Sequence, residues 1–239
     1  MRYIAVDIET TGLSPIKDKI IEIGAVKYEN GTAIASFSSL VHAQIISLPE
    51  RIIELTGITD EMLQDAPTER EVMTQFLEFA TEDFPLLGHN IPFDYSFLKV
   101  ASLSMGIPFE RNGIDTLKLA RVCCPEMSSK TLSAMCEKYD IHNEQAHRAY
   151  EDAIATVTLY EKLKQDYEET NPSIFQPQPL VYKEKKQEPV TPKQIRYLEA
   201  IIAYHKLELK PAYEQMTKSE VARLIDTLLN QYGRIPYIR

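Results

Sequence analysis

Asp7 and Glu9 stand two residues apart in "YIAVDIETTG", where Tyr3, Ile4, Ala5, Val6 and Ile8 otherwise suit a buried strand. Side chains alternate between the faces of a strand, so both carboxylates project from the same face. Like charges so close repel, and burying them unpaired is costly. Further on, "GHNIPFDYSFL" places Asp94 near a helix N-terminus, and "GIDTLKLAR" places Asp115 at a strand end. "AHRAYEDA" supplies His147 and Asp152 at the start of a long helical pattern. Taken singly, each is an ordinary cap, helix-dipole or surface residue. Jointly, three or four converging carboxylates can hold two divalent cations about 4 Å apart, clamping the attacking and leaving oxygens of a phosphodiester. Oxygen ligands of this kind select Mg²⁺ or Mn²⁺ over zinc. A histidine at the rim offers a base that works near neutral pH.

These residues need elements to position them. "MRYIAVDIE", "KIIEIGAVKYENG" and "TAIASFSSLV" read as three strands, and Asn30-Gly31 is a strong hairpin signal joining the second to the third. Apolar spacing of three and four predicts helices near 48–56, 68–82, 92–105 and 148–168. "FPLLGH" (84–89) and "GIDTL" (113–117) read as short strands between them. A meander followed by alternating helices and strands is an α/β layer arrangement. The expectation is a mixed five-stranded sheet, three antiparallel strands then parallel ones, with helices on both faces.

Residues 1–170 form the expected first domain. Residues 171–190 are proline-rich without helical or strand period and read as an extended linker. Residues 191–239 then form a small helical C-terminal module. Thr191-Pro192-Lys193-Gln194 and Thr217-Lys218-Ser219-Glu220 are capping-box starts for two amphipathic helices.

The chain has 239 residues, 44% of them hydrophobic, enough for one sizeable core and a small extra unit. No apolar run reaches spanning length and no leader pattern follows Met1, so the expected location is the cytoplasm, with no membrane partner. Three cysteines, Cys123, Cys124 and Cys136, lack metal-ligand spacing and read as reduced, buried thiols. The net charge of −9 divides into −13 for residues 1–182 and +4 for residues 183–239. So acidic a body is no general duplex-binding surface. A nucleic-acid substrate would need cations between it and the carboxylates. The positive balance of the tail, with six tyrosines counted from the end of the first domain (Tyr182, Tyr197, Tyr204, Tyr213, Tyr232 and Tyr237), suits weak nucleic-acid contact; its Ile/Leu stripes equally suit a partner protein or docking onto the first domain.

"DIETTG", "LTGIT", "HNIPFD", "IDTLKLAR" and "HRAYEDA", in this order and spacing, resemble the DEDDh 3′–5′ exonucleases over about residues 1–168. That family includes the DnaQ-like proofreading epsilon subunits of DNA polymerase III and the exonuclease domain of Gram-positive polymerase C. The resemblance implies a ribonuclease H-like fold, two Mg²⁺ or Mn²⁺ ions, and release of nucleoside 5′-monophosphates from 3′ ends. By matching position it implies that Asp7 bridges both ions, Glu9 and Asp152 hold the ion that activates water, and Asp94 serves the second. His147 would be the general base. The tyrosine subclass carries Tyr four residues before the last Asp; that place is Arg148 here, which leaves the histidine form. The resemblance also implies that Thr10, Thr11 and Gly12 meet the terminal nucleotide, Leu13 and Phe93 press on bases, and Asn90 positions the site. Asp115 and Thr116 support the fold. The expected substrate is single-stranded or frayed DNA in proofreading or repair, with a polymerase or other replication or repair protein as partner. RNA 3′-end trimming and a non-catalytic binding scaffold are the alternatives.

Overall fold

The computed structural model describes residues 1–43, 47–80, 83–143, 146–183, 188–213 and 216–236. β1 (Arg2–Thr10) occupies the middle of a six-stranded sheet of order β3-β2-β1-β4-β5-β6. It pairs antiparallel with β2 (Ile20–Glu29), and β2 pairs antiparallel with β3 (Thr32–Leu40). The hairpin between β2 and β3 turns through Asn30 and Gly31, both at positive φ (52° and 80°), as the Asn-Gly signal requires. β4 (Leu86–Gly88) lies parallel to β1, and β5 (Asn112–Asp115) parallel to β4.

The strand period sorts β1 between two cores. Ile4, Val6 and Ile8 pack with Val72, Phe76, Tyr95 and Leu98, from α3 (Glu69–Phe79) and α4 (Ile91–Ser104). Tyr3 and Ala5 face Leu119 of α5 (Thr116–Cys123) and Ala153, Val157, Tyr160 and Leu163 of α7 (Ala149–Tyr167). Asp7 and Glu9 continue this second set, toward the face that carries α7. α1 (Glu50–Thr56) and α2 (Asp60–Gln64) lie near a smaller core of Ile21, Leu48, Ile58 and Leu63. α6 (Leu132–Tyr139) precedes α7.

The structure departs from the expected elements in three ways. α2, α5 and α6, of five to eight residues, were not foreseen, because so short a stretch holds too few apolar positions to tell a helix from a strand or loop. The helix expected over 68–82 ends at Phe79, with residues 81 and 82 outside the described set. The third departure is a sixth strand, β6 (Gln178–Pro179), within the expected linker; it pairs antiparallel with Asn112 and Gly113. Proline is tolerated there because the strand is an edge. Phe175, in the 3₁₀ turn Pro172–Phe175, is fully buried with its ring 6.2 Å from that of Tyr160. The first compact unit therefore runs to Tyr182 and the second from Lys183; residues 184–187 of the expected linker lie outside the described set.

In the second unit, α8 (Pro192–Tyr204) and α9 (Lys218–Tyr232) both begin with the foreseen capping boxes. They close on Leu198, Ile201, Val221, Ile225 and Leu228. Their starts adjoin, since Gln194 Nε2 donates to the Lys218 carbonyl at 2.8 Å and Pro189 bridges to Thr217. Their ends adjoin as well, so the helices run side by side in the same direction. Tyr237 lies outside the described residues. All three cysteines are buried and free. Among the described residues no helix is long and apolar enough to cross a membrane.

Candidate active site

The end of β1 delivers two carboxylates, and two helix N-termini deliver the others. Asp94 sits in the first turn of α4, buried, and its Oδ1 accepts from the Ile8 N–H of β1 at 3.1 Å. Asp152 sits in the first turn of α7; Oδ1 accepts from Asn143 Nδ2 at 2.6 Å and Oδ2 from the His147 N–H at 3.2 Å. His147 has φ +68°, a left-handed turn immediately before α7. Glu9, His147 and Asp152 each offer a ligand atom, and these lie within 4.8 Å of one another. Asp7, Glu9, Phe93, Asp94, His147 and Asp152 line one cavity of about 240 Å³, with Ile8, His89, Thr131, Leu132 and Ser133 completing the wall. The five residues that the sequence marked for chemistry are thus brought together.

Charge in this cavity is compensated only in part. Burial pushes Asp7 well above the usual carboxylate range, and Asp94, Asp152, Glu9 and Glu22 push it further. Glu9 rises to about 8, from burial first and then the charges of Asp152, Glu22 and Asp94, with Arg148 opposing. Asp94 also rises to about 8 through burial, although the backbone N–H groups of Asp94 and Ile8 oppose the shift. No Lys or Arg lines the cavity among the described residues. Four carboxylates and an imidazole, mostly oxygen donors crowded with no cationic side chain among the lining residues, fit a divalent cation.

The start of α7 is held against the sheet by residues the sequence reading missed. Glu22, opposite Glu9 in the β1–β2 register, is 2% exposed. It accepts from Arg148 Nη2 at 2.7 Å, from Arg148 Nε at 3.2 Å and from the Ala149 N–H at 3.0 Å. Beside it, a Cβ on Gly24 would lie 2.1 Å from Tyr150 N, so only glycine lets α7 approach this closely. The signal was present: Glu22 interrupts "IIEIGAV", as Asp7 interrupts β1. His89 was missed too. Its Nε2 donates to the Lys130 carbonyl at 2.8 Å and its Nδ1 bonds Thr116 Oγ1 at 2.9 Å, which ties the start of α6 to the end of β4. Burial lowers its pKa, favouring the neutral ring.

The residues expected at the substrate fall into two groups. Phe93 lines the acidic cavity, with its ring 5.1 Å from Phe97. Thr10, Thr11, Gly12, Leu13 and Asn90 are not among its lining residues. Thr10 Oγ1 donates to the Gly12 carbonyl at 2.7 Å, and Thr11 exchanges backbone and side-chain bonds with Lys19, making a closed turn off β1. Leu13 is 74% exposed on that turn. Asn90, at φ +72°, donates its N–H to Asp115 Oδ1 and lines an adjoining groove with His89, Arg121 and Thr131. Asp115 caps α5, the supporting place expected of it.

Residues 4–160 match the family model described as Exonuclease, RNase T type. The chain belongs to this exonuclease family. A DNA polymerase III of PolC type from Bacillus cereus is 44% identical over 165 residues, covering 69% of this chain but 11% of that polymerase, so the chain spans only a small part of its curated relatives. Among solved structures, the nuclease domain of 3′hExo, a DEDDh family member bound to rAMP, superposes with TM-score 0.61 at 19% identity, covering 75% of this chain and 97% of that one. E. coli Exonuclease I in complex with a dA16 oligonucleotide superposes with TM-score 0.62 at 19% identity, covering 73% and 42%. These likenesses bear out the ribonuclease H-like, DnaQ-like exonuclease fold; the sheet has six strands rather than five.

Proposed function

We propose that this exonuclease removes nucleoside 5′-monophosphates from the 3′ end of single-stranded or frayed nucleic acid, DNA rather than RNA, in proofreading or repair. The observation that carries the reading is the gathering of Asp7, Glu9, Asp94, Asp152 and His147 in one cavity. The preference for DNA is supported by the identity to PolC-type polymerases, which also makes a polymerase or repair protein the expected partner. RNA 3′-end trimming is the second reading, favoured by the fold likeness to a nuclease bound to rAMP.

Asp7, Glu9, Asp94 and Asp152 would hold two divalent cations, Mg²⁺ or Mn²⁺. When bound, such cations neutralise charge developing on phosphate oxygens and lower the pKa of water. The imidazole of His147 would accept the proton of the attacking water. Its backbone N–H, bonded to Asp152 Oδ2, ties the main chain that carries the imidazole to that ligand. Phe93 offers an apolar wall, and the exposed Leu13 a second surface, on which frayed bases can press without regard to sequence. Thr10, Thr11 and Gly12 would meet the terminal sugar with backbone groups, and Asn90 would hold the adjoining groove.

The test is digestion of 5′-labelled DNA and RNA oligomers, single-stranded and mispaired, with Mg²⁺, with Mn²⁺ and with EDTA. Stepwise shortening from the 3′ end, faster on DNA and absent in EDTA, is expected. Asp7→Ala should lose at least about three orders of magnitude in rate. Undiminished, metal-dependent digestion by Asp7→Ala refutes the site.

A further inference from the structure

The net charge of residues 1–182 is −13, and phosphate affinity comes from clustered Lys and Arg. A catalytic unit so charged has little with which to retain a polyanion beyond its cavity. Residues 183–239 carry +4. At the C-terminal ends of α8 and α9, the His205 ring stands between two tyrosines, 4.9 Å from Tyr204 at 83° and 5.7 Å from Tyr232 at 36°. His205 Nε2 donates to the Gly233 carbonyl at 3.2 Å, which fixes the ring between the helices. Tyr204 and Tyr232 are 57% and 44% exposed, so these rings are not packing the core. Lys206 and Arg234, each a chain neighbour of the cluster, are exposed beside it.

The surface continues along α8. Tyr197, also exposed, precedes Tyr204 by seven residues, which returns to the same helix face about 10 Å away. Lys193 extends that face by one more turn, whereas Glu199 lies on the opposite side. Aromatic rings flanked by cations match a polymer with flat bases and regular negative charge. Stacking on them is tolerant of base identity, as an enzyme retaining strands of any sequence requires.

We propose that Tyr204 and Tyr232 of the C-terminal unit stack bases of single-stranded nucleic acid, with Lys206 and Arg234 pairing its phosphates. The inference rests on the exonuclease reading only for the identity of the polymer. The experiment measures Kd of the full chain for a 5′-fluorescein oligothymidine by fluorescence anisotropy in EDTA. No hydrolysis enters that readout, so a failed nuclease assay and a failed binding assay are told apart. Tyr204→Ala and Tyr232→Ala should each weaken binding about five- to tenfold, while Tyr204→Phe stays within about twofold. Lys206→Gln with Arg234→Gln should lower the slope of log K against log salt by about 1.4, or 0.7 per phosphate contact on a single strand. Both ring variants binding as the parent does, or Phe losing as much as Ala, overturns the proposal. The first of these outcomes would leave the face to a protein.

Discussion

Glu22→Gln tests whether a half-buried ion pair positions the proposed catalytic cluster. The carboxylate of Glu22 takes Arg148 Nη2 at 2.7 Å, Arg148 Nε at 3.2 Å and the Ala149 N–H at 3.0 Å. Glutamine keeps the shape but turns one acceptor into an NH₂ facing a donor. Losing a hydrogen bond to a charged group costs about 1.5–3 kcal/mol. Arg148 is 35% exposed, so water screens part of the loss, and removing one anion relieves Asp7 and Glu9. The expected net destabilisation is about 2 kcal/mol, read by urea denaturation of the metal-free protein. The larger effect should fall on turnover. The start of α7 carries His147 and Asp152, and a displacement of about 1 Å costs on the order of 10²-fold in rate. Arg148→Met alone and combined with Glu22→Gln completes the cycle; a shared interaction makes the double variant cost less than the sum. If Glu22→Gln denatures and turns over as the parent does, the pair does not position α7.

Further expectations concern pH and close approach. Glu9 and Asp94 titrate near 8 in the fold and Asp7 lies well above the usual carboxylate range, whereas in the unfolded chain such groups ionise near pH 4. Between about pH 4 and 8 the native state therefore holds protons that the unfolded chain has released, and metal-free stability falls as pH rises. The Tm gained on adding Mg²⁺ should be wider at pH 8 than at pH 5, and Asp7→Asn should raise the metal-free Tm at pH 8. A metal-free Tm that climbs toward pH 8 contradicts the first expectation, and a lower Tm in Asp7→Asn would make that carboxylate structural. In Gly24→Ala the added Cβ would lie 2.1 Å from Tyr150 N and 2.3 Å from Ala149 C, so a loss of about 3 kcal/mol on denaturation is expected; an unaffected variant would show that α7 yields at little cost.

Much of the fold was legible because its signals are local. Strand alternation in β1, the Asn-Gly turn, the helical spacing of α7 and the two capping boxes each depend on neighbours within a few residues. Asp7 and Glu9 stood out as paired carboxylates in a strand that looked buried, and Asp94, His147 and Asp152 only when taken jointly with them. The tertiary structure decided what lies between distant segments. It set Glu22 under the start of α7, joined Asn143 to Asp152, and used His89 to hold α6 beside the cavity. It also added β6 to the sheet, because Phe175 found a buried place against Tyr160 that proline content alone does not reveal. Periodicity and charge are written residue by residue, whereas a carboxylate's partner is whatever the packed helices bring within about 3 Å.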